Sequence, residues 1–114
     1  MAYSEILATR VRERLAHLSN LKEKQMMGGL TFMLNDKMCV GIIKEELMCR
    51  IDPAIYEDAL RKKGCRPMDF TGRPMKGWVI IDEHGMKKDF AYWLGLAVNF
   101  NEKAKPYKKR LTLT

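Results

Sequence analysis

Apolar residues near the amino terminus recur at helical spacing. Between residues 4 and 19 the apolar positions step by four, four and three residues, and charged side chains fill the positions between them. This period places the apolar side chains on one face of a helix, and Ser4 is a residue type that caps helices. The pattern predicts a first amphipathic helix over roughly residues 4–19. Its apolar face consists of Leu7, Val11, Leu15 and Leu18.

The central part of the chain alternates apolar and polar residues in the manner of strands. Residues 30–34, 37–43 and 47–51 predict three strands, because successive side chains of a strand point to opposite faces. Asn35-Asp36 is a turn pair between the first two strands, and residues 44–46 supply the next turn. Together these segments predict an antiparallel meander.

A second helix has sequence signals for both its start and its end. Asp52 is placed to cap it, Pro53 suits its first position, and Gly64 follows the cationic residues 61–63. Farther along, the continuous apolar run of residues 78–81 predicts a strand that is buried on both faces or nearly so.

The last apolar pattern predicts a third, well-buried helix. We place the turn that precedes it at His84-Gly85 and its start at Met86. The apolar positions then step by four, three, four and three residues, which is again a helical period. They are Met86, Phe90, Trp93, Ala97 and Phe100.

These elements predict an α+β domain. An antiparallel sheet of about four to five strands is flanked by three helices in the order α-β-β-β-α-β-α. The chain length favours one domain over residues 1–104, and residues 105–114 are expected to form a basic, frayed tail. No run of eighteen uncharged apolar residues occurs and the amino terminus does not resemble a leader sequence, so we expect a cytoplasmic protein without a membrane segment.

The net charge of +7 belongs mostly to the tail. Residues 1–102 hold 16 basic against 14 acidic residues, or +2. A basic end can raise non-specific affinity for phosphate backbones without reading a sequence. The candidate phosphate contacts are Lys103, Lys105, Lys108, Lys109 and Arg110.

The most constrained stretch runs from residue 66 to residue 78. It carries two prolines, two glycines, three cations and two aromatic residues, which specify its path narrowly. Rigid loops often hold function, so this stretch and Gly28-Gly29 form the candidate interaction surface. The alternative is that the loop only crosses between strands and docks Phe70, Met75 and Trp78 in the core. The candidate residues are Gly28, Gly29, Arg66, Pro67, Met68, Thr71, Gly72, Arg73, Pro74, Met75, Lys76 and Gly77.

The sequence offers little catalytic chemistry. It contains no GxSxG, GxxxxGK[ST], HExxH or GxGxxG pattern, and we read residues 82–84, two carboxylates beside an imidazole, as a solvated turn. Neither a cofactor nor a metal is expected. An anion site is one alternative, because three arginines suit phosphate, although Asp52 and Asp69 could pair with them instead. The three arginines are Arg50, Arg66 and Arg73.

The three cysteines, Cys39, Cys49 and Cys65, form no CxxC pair. We expect reduced thiols that serve packing, with Cys39 and Cys49 on neighbouring strands.

The chain resembles the amino-terminal domain of the TfoX/Sxy proteins. The resemblance rests on residues 24–39, the 66–78 stretch and Ala91-Tyr-Trp-Leu94, and it extends to about residue 103. At Met27 the family pattern often has an aromatic residue. The resemblance implies an antiparallel sheet flanked by helices, akin to secretion chaperones, and it transfers no active site. Full-length members are two-domain bacterial regulators of natural competence, transcriptional coactivators with a carboxy-terminal helix-hairpin-helix domain. The resemblance covers the amino-terminal domain alone, so we expect this chain to be similar to the stand-alone members.

Three functions follow as hypotheses. The first is a non-enzymatic regulatory domain that binds another protein, with the transcription machinery as one candidate. The second is nucleic-acid binding through the tail together with Arg10, Arg12 and Arg14. The third is a small anion-binding protein or enzyme. Homodimerisation stays open because an antiparallel sheet has two edges.

Overall fold

The structure is a computed structural model that describes residues 3–26, 28–68 and 76–104. Its three helices are α1 (Glu5–Leu15), α2 (Tyr56–Leu60) and α3 (Glu83–Asn101), and a 3-10 turn, Pro53–Ile55, leads directly into α2. The strands are β1 (Leu21–Met26), β2 (Gly29–Leu34), β3 (Lys37–Ile43), β4 (Glu46–Arg50), β5 (Cys65–Pro67) and β6 (Trp78–Ile81). No helix within these ranges is long and apolar enough to cross a membrane.

All six strands belong to one antiparallel sheet in the order β1-β2-β3-β4-β6-β5. The predicted α+β class is confirmed, with six strands in place of four to five. The two additional strands lie at the edges. Strand β1 is polar and mostly exposed, so it shows no apolar alternation, and β5 is short and contains Pro67 at an edge, where proline is tolerated.

The turns of the meander have the predicted chemistry. Asn35 and Asp36 have φ of 55° and 64°, as a two-residue hairpin turn between β2 and β3 requires. Lys44, with φ of 55°, begins the next turn, and Glu46 already belongs to β4. The edge strand β1 exposes Lys22 and Lys24, and charged edges of this kind disfavour pairing with a second sheet.

The predicted capping residues Ser4 and Asp52 both form their hydrogen bonds, Ser4 at the start of α1 and Asp52 at the start of the 3-10 turn that leads into α2. Ser4 Oγ accepts a hydrogen bond from Leu7 N at 3.1 Å, and Asp52 Oδ1 accepts one from Ala54 N at 2.9 Å. Helix α1 ends at Leu15, four residues before the predicted end.

The predicted start of the last helix was wrong. Asp82 caps α3, and its Oδ1 accepts a hydrogen bond from Gly85 N at 3.2 Å, so Glu83 and His84 lie in the first helical turn. The His84-Gly85 pair favoured a turn in the sequence because glycine is a poor helix former. Helix α3 is kinked at Asp89, whose φ and ψ are −132° and 36°.

Helices α1 and α3 pack against one face of the sheet and form the main core with it. The central strands β4 and β6 face this core with one set of alternate residues and the opposite side with the other set. Cys39 and Cys49 lie on neighbouring strands, as predicted, and both are buried. Residues of the main core from the two helices are Leu7, Ala8, Val11, Leu15, Met86, Phe90, Trp93, Leu94 and Ala97.

Candidate functional site

The sheet carries a second apolar cluster on the side opposite α1 and α3. Among the described residues, no helical side chain belongs to this cluster. Four of its six members are methionines, whose unbranched side chains adapt their shape to a neighbour. We call it the methionine face, and it consists of Met33, Met38, Met48, Met68, Trp78 and Ile80.

Strand register assembles the methionine face. Met33 pairs with Met38 across β2 and β3, and Met48 pairs with Ile80 across β4 and β6. Gly41 leaves the space that Met48 occupies, because a Cβ atom at Gly41 would lie 2.9 Å from Met48 Cε. Met33 is partly exposed, whereas Met38 and Met48 are buried. The strand pairing therefore presents one accessible thioether beside a buried row.

Arg50 lies at one end of the methionine face. It pairs with Trp78 in register, and its guanidinium carbon is 5.0 Å from the centre of the indole ring, which is a cation–π distance. Its Nη1 is buried and has no hydrogen-bond acceptor among the described residues. Burial lowers the pKa of Arg50, but an arginine remains charged. A charged donor is thus held on an aromatic ring, and residues 3–26, 28–68 and 76–104 offer no acceptor to its Nη1.

Arg66 is already engaged by a carboxylate. Its Nη1 and Nη2 donate to Glu46 Oε2 and Oε1 at 2.8 and 2.5 Å, which is a bidentate ion pair across the sheet. Asp52, which the sequence offered as a partner for the arginines, caps a helix instead. Arg73 and Asp69 lie outside the described residues. The three-arginine anion site therefore reduces to Arg50 within the part of the chain that the structure describes.

The other predicted surface residues fall into two groups. Gly28 is exposed in the turn between β1 and β2, with φ of 75°, and Lys76 is exposed before β6. Met68 and Gly77 are buried, and Gly29 is buried so tightly that a Cβ atom there would meet the carbonyl oxygen of Ile42. Pro67 is partly buried in β5. Outside the described residues lie Thr71, Gly72, Arg73, Pro74 and Met75, and this surface stays a prediction.

The proposed phosphate contacts are mostly undescribed, and two of the first-helix arginines have partners. Arg12 donates to Glu23 at 2.6 and 2.9 Å, and this hydrogen bonding raises the pKa of Arg12. Arg10 lies 4.3 Å from the centre of the Phe90 ring. Lys103 is exposed after α3. Outside the described residues lie Lys105, Lys108, Lys109 and Arg110.

The cysteines are free and placed for packing. Burial raises the pKa of Cys39 to about 12 and that of Cys65 to about 11, and it raises the pKa of the fully buried Cys49 well above its ordinary value. Thiols with raised pKa are poor nucleophiles. In the described ranges, no group of three His, Cys, Asp or Glu side chains is arranged to hold a metal ion.

The sequence reasoning missed an open cleft of about 700 Å³ between the turn after α2 and the first half of α3. The signal available in the sequence was a pair of adjacent lysines near each of two glycines, Gly64 and Gly85. In the sequence, Lys62 and Lys63 indicate only the cationic end of the second helix, and no prediction rests on Lys87 or Lys88. The cleft is lined by Lys62, Lys63, His84, Lys87, Lys88 and Asp89.

The family model of the TfoX N-terminal domain matches residues 13–100 of this chain. The match includes every strand of the sheet, all of α2, nearly all of α3 and only the last three residues of α1. The comparisons with curated proteins and with solved structures found no match. The predicted likeness to secretion chaperones therefore stays a prediction.

Proposed function

Because the chain belongs to the TfoX N-terminal domain family, we propose that it is a non-enzymatic regulatory domain that binds a protein partner at the Arg50 end of the methionine face. The partner presents a segment with apolar side chains and one carboxylate. The apolar side chains meet Met33, the partly exposed member of the methionine face, and the carboxylate accepts a hydrogen bond from the Arg50 guanidinium.

The observation that carries this proposal is the buried Nη1 of Arg50, which has no hydrogen-bond partner among the described residues. Leaving a buried donor without an acceptor costs about 1–3 kcal/mol, and more when the donor is charged. A carboxylate from a partner would remove this cost and form a charge-assisted hydrogen bond. The Trp78 ring already holds the Arg50 guanidinium in place. The Arg50 side chain therefore loses little conformational freedom when a partner binds.

The neighbouring ion pair supports a defined orientation of the partner. Glu46 and Arg66 lie on the same face of the sheet as Arg50, since residues two apart on a strand share a face. Their side chains are partly exposed, so the pair can rim the contact. A partner carboxylate near Glu46 would be repelled, and this favours the Arg50 end.

The proposal includes a cytoplasmic location and a partner from the transcription machinery. The resemblance to competence regulators motivates both statements. A second copy of the chain is a weaker candidate for edge pairing, because Lys22 and Lys24 are exposed on β1 and β5 carries Pro67.

The test is peptide selection followed by calorimetry. Peptides are selected from a random library on the wild-type chain, and the dissociation constant of the tightest one is measured for three proteins. Arg50→Lys keeps the positive charge but removes the planar set of guanidinium N–H donors. It should weaken binding about tenfold or more, as the loss of a hydrogen bond to a charged group predicts. The matched control Arg61→Lys changes an exposed arginine and should leave the constant within about twofold.

Two results would contradict the proposal. One is a set of selected peptides that lack acidic residues and bind Arg50→Lys as tightly as wild type. The other is a peptide whose binding falls equally in Arg50→Lys and Arg61→Lys, since this would indicate general charge attraction.

A further inference from the structure

The cleft beside α3 concentrates positive charge that the described acidic residues do not neutralise. Four lysines line it, and its single carboxylate, Asp89, lies 3.5 Å from Lys62 Nζ. Lys63, Lys87 and Lys88 are exposed and form no ion pair within the described residues. Three unpaired ammonium groups in one cleft favour a ligand with several negative charges.

Two glycines hold the lysine pairs at the sides of the cleft. Gly64 has φ of 83°, and a Cβ atom there would meet the backbone nitrogen of Gly85 and lie 2.6 Å from Asp82 Oδ1. Asp82 N also donates to Gly64 O at 2.8 Å. The turn after α2 is thus in direct backbone contact with the start of α3. This contact fixes the backbone at Lys63 relative to the backbone at Lys87.

An aromatic side chain lies next to the lysines. Tyr92 is 45% exposed, and Lys62 Nζ lies 4.5 Å from the centre of its ring. The Tyr92 ring also packs edge-on against Trp93, with 5.3 Å between the ring centroids. Trp93 is fully buried, so Tyr92 is an exposed ring on a rigid support. A base that stacks on Tyr92 would displace the Lys62 ammonium from the ring and leave it paired with Asp89.

The shape of the cleft distinguishes a polymer from a small ligand. A small phosphorylated molecule is usually enclosed by its pocket and oriented by a few buried polar groups. This cleft is open, and its unpaired lysines are exposed. Affinity must then come from several phosphates in a row, and stacking on an exposed aromatic ring is typical of single-strand binding.

We propose that the cleft between the turn after α2 and the first half of α3 binds the backbone of single-stranded nucleic acid, with lysines on its phosphates and Tyr92 on a base. This surface differs from the tail and from the α1 arginines. It is also separate from the methionine face, so its test does not depend on the function proposed above.

The experiment is a fluorescence anisotropy titration of the full chain with a labelled oligothymidylate of about 20 nucleotides, at about 50 and about 200 mM salt. The cleft variant is Lys63→Gln with Lys87→Gln. Its matched control is Lys22→Gln with Lys24→Gln on β1, which changes the net charge equally. Circular dichroism of each variant checks that it is folded.

At the lower salt concentration, we expect the dissociation constant of the cleft variant to be at least about tenfold higher than that of the wild type. The dissociation constant of the control should stay within about threefold of the wild-type value. The slope of log K against log salt should fall by about 1.4 in the cleft variant, since each lost contact on a single strand removes about 0.7. Tyr92→Leu should weaken binding about tenfold, which corresponds to about 1.4 kcal/mol of lost stacking.

Three outcomes would overturn the proposal. Equal losses in the cleft variant and the control would assign binding to net charge alone. Displacement of the oligonucleotide by inorganic phosphate, but not by chloride at equal ionic strength, would indicate a site for a single phosphate group. Cleft-dependent binding to phosphatidylserine vesicles without binding to the oligonucleotide would assign the cleft to a membrane surface.

Discussion

Two glycines of α3 should respond in opposite directions to alanine. At Gly85 a Cβ atom would lie 2.6 Å from Ile81 Cγ2, 3.2 Å from Gly64 O and 3.3 Å from Lys63 O. At Gly95, in the same helix, a Cβ atom would have no neighbour within 4 Å. Neither residue has positive φ. The pair therefore isolates the close contact between α3 and the turn after α2.

The expected magnitudes follow from these distances. Alanine in a helix interior is about 0.8–1.0 kcal/mol more favourable than glycine. Gly95→Ala should therefore raise the free energy of unfolding by about 0.8–1.0 kcal/mol. Gly85→Ala, in the first turn of α3, gains at most this amount but must displace Ile81, a stiff and fully buried side chain, and two backbone oxygens. Such overpacking costs about 1–3 kcal/mol, so Gly85→Ala should be destabilised by about 1 kcal/mol.

Urea unfolding followed by tryptophan fluorescence measures both variants against wild type. The free energies of unfolding of the two variants should differ by about 2 kcal/mol, and the melting temperatures by roughly 8 °C. If Gly85→Ala were as stable as Gly95→Ala, α3 would not touch the turn after α2 as described. The geometry of the basic cleft would then be wrong as well.

Two further predictions concern buried polar groups. Asn101 is 2% exposed and donates to Leu34 O at 3.1 Å, so Asn101→Leu should lower the free energy of unfolding by about 1–3 kcal/mol in urea titrations; an unchanged value would contradict this hydrogen bond. Burial raises the pKa of Cys39 to about 12 in the native chain, whereas the unfolded thiol loses its proton near pH 9.0. The contribution of Cys39 to stability is therefore present below pH 9 and lost as the pH rises towards 12, by about 1.4 kcal/mol per pH unit. Unfolding at pH 8–11 should show a shallower decline in Cys39→Ala than in wild type, and equal declines would contradict it.

The sequence predicted the elements that carry strong local signals. The structure contains the predicted caps Ser4 and Asp52 and the predicted turn Asn35-Asp36. It also contains the central strands that apolar alternation predicted. Edge strands were missed, because a strand such as β1 is stabilised by pairing on one side and needs no apolar face. The family was identified correctly from the motifs.

The two candidate sites could not be predicted in the same way. Arg50 becomes a buried donor only because β4 pairs with β6, which places it over Trp78, 28 positions later in the sequence. The basic cleft exists only because Gly64 and Gly85 bring two lysine pairs together. Both depend on contacts between distant segments, which local patterns do not report.

The most direct test of the proposed function is a methyl NMR titration of the chain labelled at its methionine methyl groups, with the selected acidic peptide as ligand. Met33, Met38 and Met48 report on the methionine face, and Met86, a residue of α3 in the main core, is the internal control. We predict saturable shifts of the first three signals and no shift of Met86, all of them lost in Arg50→Lys. Binding that shifts Met86, or that leaves Met33, Met38 and Met48 unchanged, would contradict a partner site on this face.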